Sequence, residues 1–388
     1  MPTQKIQDQT SKTKPPFKYV VIIEPLGLLY GSAGRFLSPE NLVGRSGTSF
    51  PPSAATLSGL FAAHYSETEP DTDKLNQKLA PLQLAGPFWA FDGNPKNFMV
   101  PTPFNCLVKW DRDGDDEEPL KIKTGRVKHQ LVWHSSQKKW LERDNRPPMG
   151  KFSRNSWIPI EDWKEIISGD WPKVFGEPWE YSPHLHPQLE KEQRRVDSDR
   201  ERGSLFLENA VELNPNTCLV YLANEKLPNG WYRFGGEGHM VNLECHPISE
   251  PCQRLLTQSL GQSFALITPA IWGSNRLSQR EPVLLETDRK AWEWDALLAE
   301  RPSPYRYRLG GGDRARENPN PQGKHQPRRL SRGRYAMPAG SVYVLKEELQ
   351  HPTWQDWPDN WFPREYYSFK RWGCGLALPM DAIATPQS

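Results

Sequence analysis

The stretch from Phe17 to Tyr65 constrains the fold more than any other part of the chain. Residues 17–29, FKYVVIIEPLGLL, are an apolar run of the length of a buried strand. A long loop follows, punctuated by Gly31, Gly34, Gly44 and Gly47 and carrying Arg35 and Arg45. Pro51 and Pro52 close the loop, and Ser53 can cap a helix behind them. In that helix Leu57, Leu60, Phe61 and His64 share one stripe, and Ala54, Ala55, Ala62 and Ala63 permit close packing on a sheet. The order is strand, Gly/Arg loop, helix. Such a loop lets backbone N–H groups and guanidinium groups come close to a phosphate. It is not a P-loop, because GxxxxGK(S/T) is absent, and its glycine spacing is not that of a dinucleotide fingerprint. An ordered structural loop accounts for the same residues.

The chain has 388 residues, enough for two or three domains and a real core. Its hydrophobic fraction is 36% and its mean hydropathy −0.74, so much of it must be surface or loop. Proline, at 38 residues, is about twice average usage, and there are 16 tryptophans. That combination predicts ordered loops on a β-rich scaffold rather than disorder. A net charge of +2 does not itself indicate nucleic acid, but charge is unevenly placed. Asp111–Glu118 is acidic, Lys121–Lys128 is basic, and Arg194–Arg202 and Arg301–Arg334 are rich in arginine. Five cysteines without CxxC predict reduced thiols in a cytoplasmic protein. The polar amino terminus lacks the apolar region of a signal peptide, and no run reaches the length of a membrane span. A soluble protein with no membrane partner is expected.

Along the chain, residues 1–16 read as a disordered tail, 18–29 as a strand and 71–80 as a short helix. Residues 88–91 and 97–100 flank Asp92-Gly93 as a hairpin. Residues 101–160 are charged and rich in Trp, an insertion in which the acidic and basic runs make a hairpin arm projecting from the sheet. Residues 161–168 read as a short helix and 171–200 as a crossover linker. A second unit starts near 204 with two strands, SLFLENAVEL and TCLVYLAN. A hairpin over 231–245 turns at Gly235, Gly236 and Gly238, and a helix covers 250–259. FALITPAIW is a buried strand, and 339–345 and 373–378 are closing strands. Two units of strand, helix, hairpin and strand predict an α+β class with two sheet-and-helix sandwiches.

Besides Arg35 and Arg45, three basic constellations are candidates. Arg126, Lys128 and His129 lie on the arm. Arg233, Gly235, Gly236 and His239 surround the glycine turn, where another backbone can approach. Arg314, Arg316, Arg332 and Arg334 belong to a glycine- and arginine-rich loop over 301–334 that could clamp an RNA backbone. An exposed hairpin, a β-bulge and a solvated loop account for the same three stretches. His239, Cys245, His246 and Cys252 are close in sequence but fit no standard zinc spacing, so neither metal nor cofactor is expected. No nucleophile motif occurs. His64, His129 or His239 could serve general acid–base cleavage of RNA, although His64 on its apolar stripe reads as a core residue.

Several pieces carry a family resemblance in a fixed order. They are residues 22–63, with PPSAATLSGLFAA, then RFGGEGH at 233–239, TPAIWG at 268–273, AMPAGSVYVLK at 336–346, and GCGLAL. Together they resemble the RAMP superfamily of CRISPR-associated proteins. Within it they are most similar to the subunits that cap the 5′ end of CRISPR RNA in type III-B (Cmr) effector complexes. The resemblance implies two tandem ferredoxin-like, RRM-related domains. One covers 17–200, with its insertion at about 101–160 and the crossover linker. The other covers 201–388, with the Gly/Arg-rich loop at about 301–334. It implies a non-catalytic subunit that binds the crRNA 5′ handle. The expected partners are the large polymerase/cyclase-like subunit and the backbone RAMP subunit. Gly235, Gly236 and Glu237 match the family's GGE, and Pro51, Pro52 and Leu57 its first helix. A metal-independent RAMP endoribonuclease acting on repeat RNA is the second reading.

Overall fold

The computed structural model describes residues 15–30, 50–111, 121–169, 171–187, 205–235, 238–273, 277–284, 287, 289–307, 331–365 and 367–380. The apolar run forms β1 (Tyr19–Pro25) and a short β2 (Leu29–Tyr30), followed by α1 (Ala54–Thr68) and α2 (Thr72–Leu79). Ser53 occupies the cap position of α1 without a side-chain hydrogen bond, whereas the Asp71 carboxylate accepts from the first-turn N–H groups of α2. The hairpin expected around Asp92 forms between β3 (Leu84–Phe91) and β4 (Met99–Pro101). The next strands are β5 (Cys106–Trp110), β6 (Thr124–His134), β7 (Lys139–Glu142) and β8 (Trp157–Pro159). After α3 (Trp163–Ser168) come β9 (Lys173–Phe175), β10 (Trp179–Pro187), β11 (Leu205–Leu213) and β12 (Thr217–Ala223). The glycine hairpin is β13 (Gly230–Phe234) and β14 (His239–Pro247), and α4 (Glu250–Leu256) follows.

Eleven of these strands make one antiparallel sheet in the order β13-β14-β1-β12-β3-β4-β8-β9-β6-β5, with β7 paired to β6. Val20, Val21, Ile22 and Ile23 of β1 and all seven residues of β12 are buried, as the continuous apolar runs require. β1 lies between β12 and β14. The strands before and after residue 200 therefore share a sheet, and a division of the chain there cuts through it. The linker expected over 171–200 contains strands instead. β9 joins the sheet, and β10 pairs along its whole length with β11 in a separate three-stranded sheet with β2.

A second sheet holds Trp294–Leu298, Val342–Leu345, Ser263–Leu266 and Ala377–Pro379 in that order. The only α-helix described after residue 247 is α4, and aromatic side chains supply the missing bulk. Phe264 stacks on Tyr343 at 5.0 Å, and Trp292 meets Trp272, Trp357 and Trp361 at 5.2–5.4 Å between centroids. Each such pair adds about 0.5–1.5 kcal/mol beyond its area. Much of the unusual tryptophan content is thus core, not loop. The class is α+β with strands predominant.

The basic half of the expected projecting arm is a packed part of the sheet, while residues 112–120, which hold nearly all of the acidic run, lie outside the described residues. Val127, Leu131, Val132 and Trp133 of β6 are buried, and the turn after β6 docks on the second sheet. There the Trp133 indole N–H and the Lys138 ammonium both donate to Asp295, each at 2.6 Å. Burial raises the Asp295 carboxyl, but these hydrogen bonds outweigh it and hold the group below the ordinary aspartate range. The Phe104 N–H donates to the Gly340 carbonyl at 2.8 Å, and the Trp163 indole to that of Pro379 at 2.9 Å. No helix among the described residues is long and apolar enough to cross a membrane.

Candidate functional site

A cleft of about 1290 Å³ opens where the two sheets, α1 and the insertion meet. It exceeds the roughly 300–1000 Å³ of small-molecule pockets. One wall is α1. Its stripe Leu57, Leu60 and Phe61 is buried as the spacing requires, but His64, three residues on, is only half-buried, its ring 6.0 Å from that of Tyr232. The small residues expected to press on a sheet divide. Ala54 and Ala55 are buried, Ala55 also lining the cleft, whereas Ala62 and Ala63, with Gly59 between the turns, face the cleft and give it depth.

The first turn of this fifteen-residue helix faces the same space, with no acidic residue in it. Its first-turn N–H groups, of which that of Thr56 donates to the Ser53 carbonyl, make a positive pole. Phe50, just before the helix, is fixed edge-on against Trp179 at 5.2 Å.

The glycine hairpin forms the adjoining wall. Gly235 and Gly238 adopt φ of +77° and +68°, which favours glycine, and Gly235 lies over Thr56 of α1. Arg233 is exposed, and His239 is half-buried in the same wall. The opposite wall comes from the insertion and the second half. Arg154 and Glu300 join across it at 3.0 Å, and Arg306 and Pro338 complete it. Cys106 also lines the cleft. Burial pushes its thiol up to about 12, so it is protonated and unreactive at neutral pH.

The candidates from the sequence fall into three groups. Arg233, Gly235 and His239 line the cleft. Arg35, Arg45, Gly236, Glu237, Arg314 and Arg316 lie outside the described residues. The chain nonetheless enters and leaves the first loop and the turn at the cleft, and enters the third segment there. Leu29 and Phe50 bracket the first loop, Gly235 and Gly238 the turn, and Arg306 precedes the third.

Arg126, Lys128 and His129 stand on β6 beyond the cleft rim. Arg126 and Lys128 are exposed, and His129 is held by Glu142 at 2.8 Å. Arg334 is a correction. Its side chain is buried, paired with Glu365 at 2.5 Å and set over the Phe369 ring, so it braces the fold instead of offering charge to a ligand. Arg332 is exposed, and its N–H donates to the Glu365 carboxylate. Sequence reasoning missed Arg154, which sits in no motif, and passed over Arg306 within the 301–334 stretch. Only the docking of the insertion on the second half brings Arg154 to the cleft.

Chemically the cleft offers a helix N-terminus, guanidinium groups at Arg233, Arg154 and Arg306, and apolar walls. Among the described residues no group of three His, Cys, Asp or Glu could hold a metal ion.

The model of one protein family, the CRISPR-associated protein family Cas_Cmr3, matches residues 27–381. None of the curated proteins matches. Among solved structures, the chain is similar to one in the cryo-EM structure of the type III-B Cmr-beta bound to cognate target RNA and AMPPnP. The TM-score is 0.45 and the identity 10%, over 84% of this chain and 86% of that one. A chain in the crystal structure of the Csm3–Csm4 subcomplex of the type III-A interference complex gives 0.36 and 11%, over 85% and 94%.

Proposed function

The chain belongs to the Cas_Cmr3 family of CRISPR-associated proteins, and we propose that it is a non-catalytic subunit of a type III effector complex that holds the crRNA 5′ handle in the cleft. The family match, which begins at residue 27, covers the ordered motifs read in the sequence apart from the opening residues of the first. The observation that carries the ligand assignment is the meeting of the glycine turn, the α1 N-terminus, both ends of the first Gly/Arg segment and the start of the second at one cleft. A single-stranded end is held by phosphate contacts together with apolar surfaces on which bases lie. The backbone N–H groups and dispersed arginines supply the first, and Phe104, Phe152 and Pro338 the second.

The same reading takes the large polymerase/cyclase-like subunit and a backbone RAMP subunit as partners. Trp231, 72% exposed on the last strand of the large sheet with Met240 opposite its neighbour Arg233, fits a protein contact. The two sheets would then be the cores of two ferredoxin-like units joined through the insertion.

The test is binding of labelled handle RNA to the purified chain in EDTA. Retention of intact RNA, weakened by rising salt, is expected. Cleavage of repeat RNA in EDTA would overturn the non-catalytic assignment, and equal affinity for a scrambled handle would overturn the assignment of the handle.

A further inference from the structure

The outer face of β5, β6 and β9 carries a row of cations that the cleft does not use. Lys109 stands directly opposite Arg126, and Arg126 directly opposite Lys173. Partners in register share a face of the sheet. The other face is core at this level: Val108, Val127 and Val174 are buried. All three cations are exposed, and among the described residues none makes an ion pair. Asp111, just past the end of β5, accepts from the Thr124 hydroxyl at 3.0 Å. Like charges set opposite one another on adjacent strands cost stability. A row of three suits a bound polyanion.

The row is continuous with the cleft. Leu107, two residues before Lys109 on the same face of β5, lines the cleft. So does Phe152, whose ring lies 5.5 Å from the Lys109 ammonium and 5.8 Å from the His129 ring. A bulge pairs Leu107 with His129 but Val108 with Val127, and leaves Lys128 as an additional exposed cation. The sequence along the surface is thus cleft, aromatic rim, then a basic row spanning about 10 Å across three strands at the usual inter-strand spacing. An aromatic platform beside a line of cations is the form taken by sequence-tolerant single-strand sites.

We propose that this face is a second, sequence-independent contact for single-stranded RNA, which binds the strand as it leaves the cleft over Phe152. The proposal rests on the cleft holding an RNA end. The experiment uses the full chain and handle RNAs extended stepwise at the 3′ end, with oligo(U) as a probe that needs no handle. It compares wild type with Lys109→Ala/Arg126→Ala/Lys173→Ala. A matched control removes three exposed lysines scattered over other elements, Lys74→Ala/Lys164→Ala/Lys226→Ala.

The row variant should bind the short handle as wild type does, yet lose the affinity gained on extension, roughly tenfold. Its salt slope on the long RNA should fall by about two, since each single-strand phosphate contact contributes about 0.7. Oligo(U) binding should fall in parallel, and the control should change neither. Equal loss on short and long RNA, equal loss in the control, or no loss would overturn the proposal. So would unchanged RNA binding with lost assembly into the complex, which would make the row a protein contact. If wild type shows no preference for the handle but the row variant still loses oligo(U), the cleft assignment fails and the row stands.

Discussion

The cleft and the outer face of the insertion both present cations, and they are built in opposite ways. The cleft draws on backbone: two glycines with positive φ, a helix N-terminus and small side chains that leave room. The outer face draws on long, exposed side chains held in register by a sheet whose other face is core. A backbone-built site is sensitive to added volume. A side-chain-built site is sensitive to charge and salt. The difference also separates roles, since a shaped cleft can select an end, whereas a row of solvated cations recognises only a backbone.

The largest expected effect follows from adding volume where the insertion meets the second half. Gly340 has φ of +91°, and a Cβ there would lie 2.8 Å from the Phe104 ring and 3.0 Å from the Thr102 carbonyl oxygen. Gly340→Leu should cost about 3 kcal/mol in urea unfolding, from overpacking and left-handed backbone together, and weaken RNA binding with it. Added volume on the solvated row, Lys173→Trp, should stay within about 0.5 kcal/mol. Equal costs would break the comparison.

Next is Arg233→Ala in the cleft. Loss of a charge-assisted hydrogen bond to phosphate should weaken handle binding by about 1.5–3 kcal/mol, and part of the loss should persist at high salt. Loss confined to low salt would place Arg233 with the solvated cations instead.

The smallest effect concerns Asp295, which holds the insertion in place. Asp295→Asn should cost about 1 kcal/mol. The folded carboxyl lies below its ordinary value of about 3.9, so its contribution is present above that pH and is lost as pH falls through the lower folded value. The urea midpoints of wild type and variant should therefore converge as pH drops below about 4. A gap that stays constant would remove the carboxylate from the docking.

How much of this was legible follows the same division. Local pattern located β1, α1, α2, the Asp92 hairpin and the glycine hairpin, because each is specified by its own periodicity and turn residues. It also placed Arg233, Gly235 and His239 together at a turn, which the cleft contains. Register is not local. The alternation Leu107, Lys109 and the lone Lys173 carry no signal until β6 is aligned between them. Arg334 misled for a related reason: composition shows an arginine in a basic stretch, but not Glu365 and Phe369 closing around it. Arg154 reaches the cleft because the insertion is fastened to the second half, by Trp133 and Lys138 at Asp295 and by Phe104 at Gly340.

The central claim is that an RNA end sits in the cleft. The most direct measurement is photocrosslinking of handle RNA, substituted at its 5′ nucleotides, followed by mapping of the crosslinked peptides. Crosslinks should fall on the start of α1 and on 233–239, with nucleotides further along the strand moving to Phe152 and β6. Crosslinks from the 5′ nucleotides confined to β5, β6 and β9, or absent from the chain altogether, would contradict it.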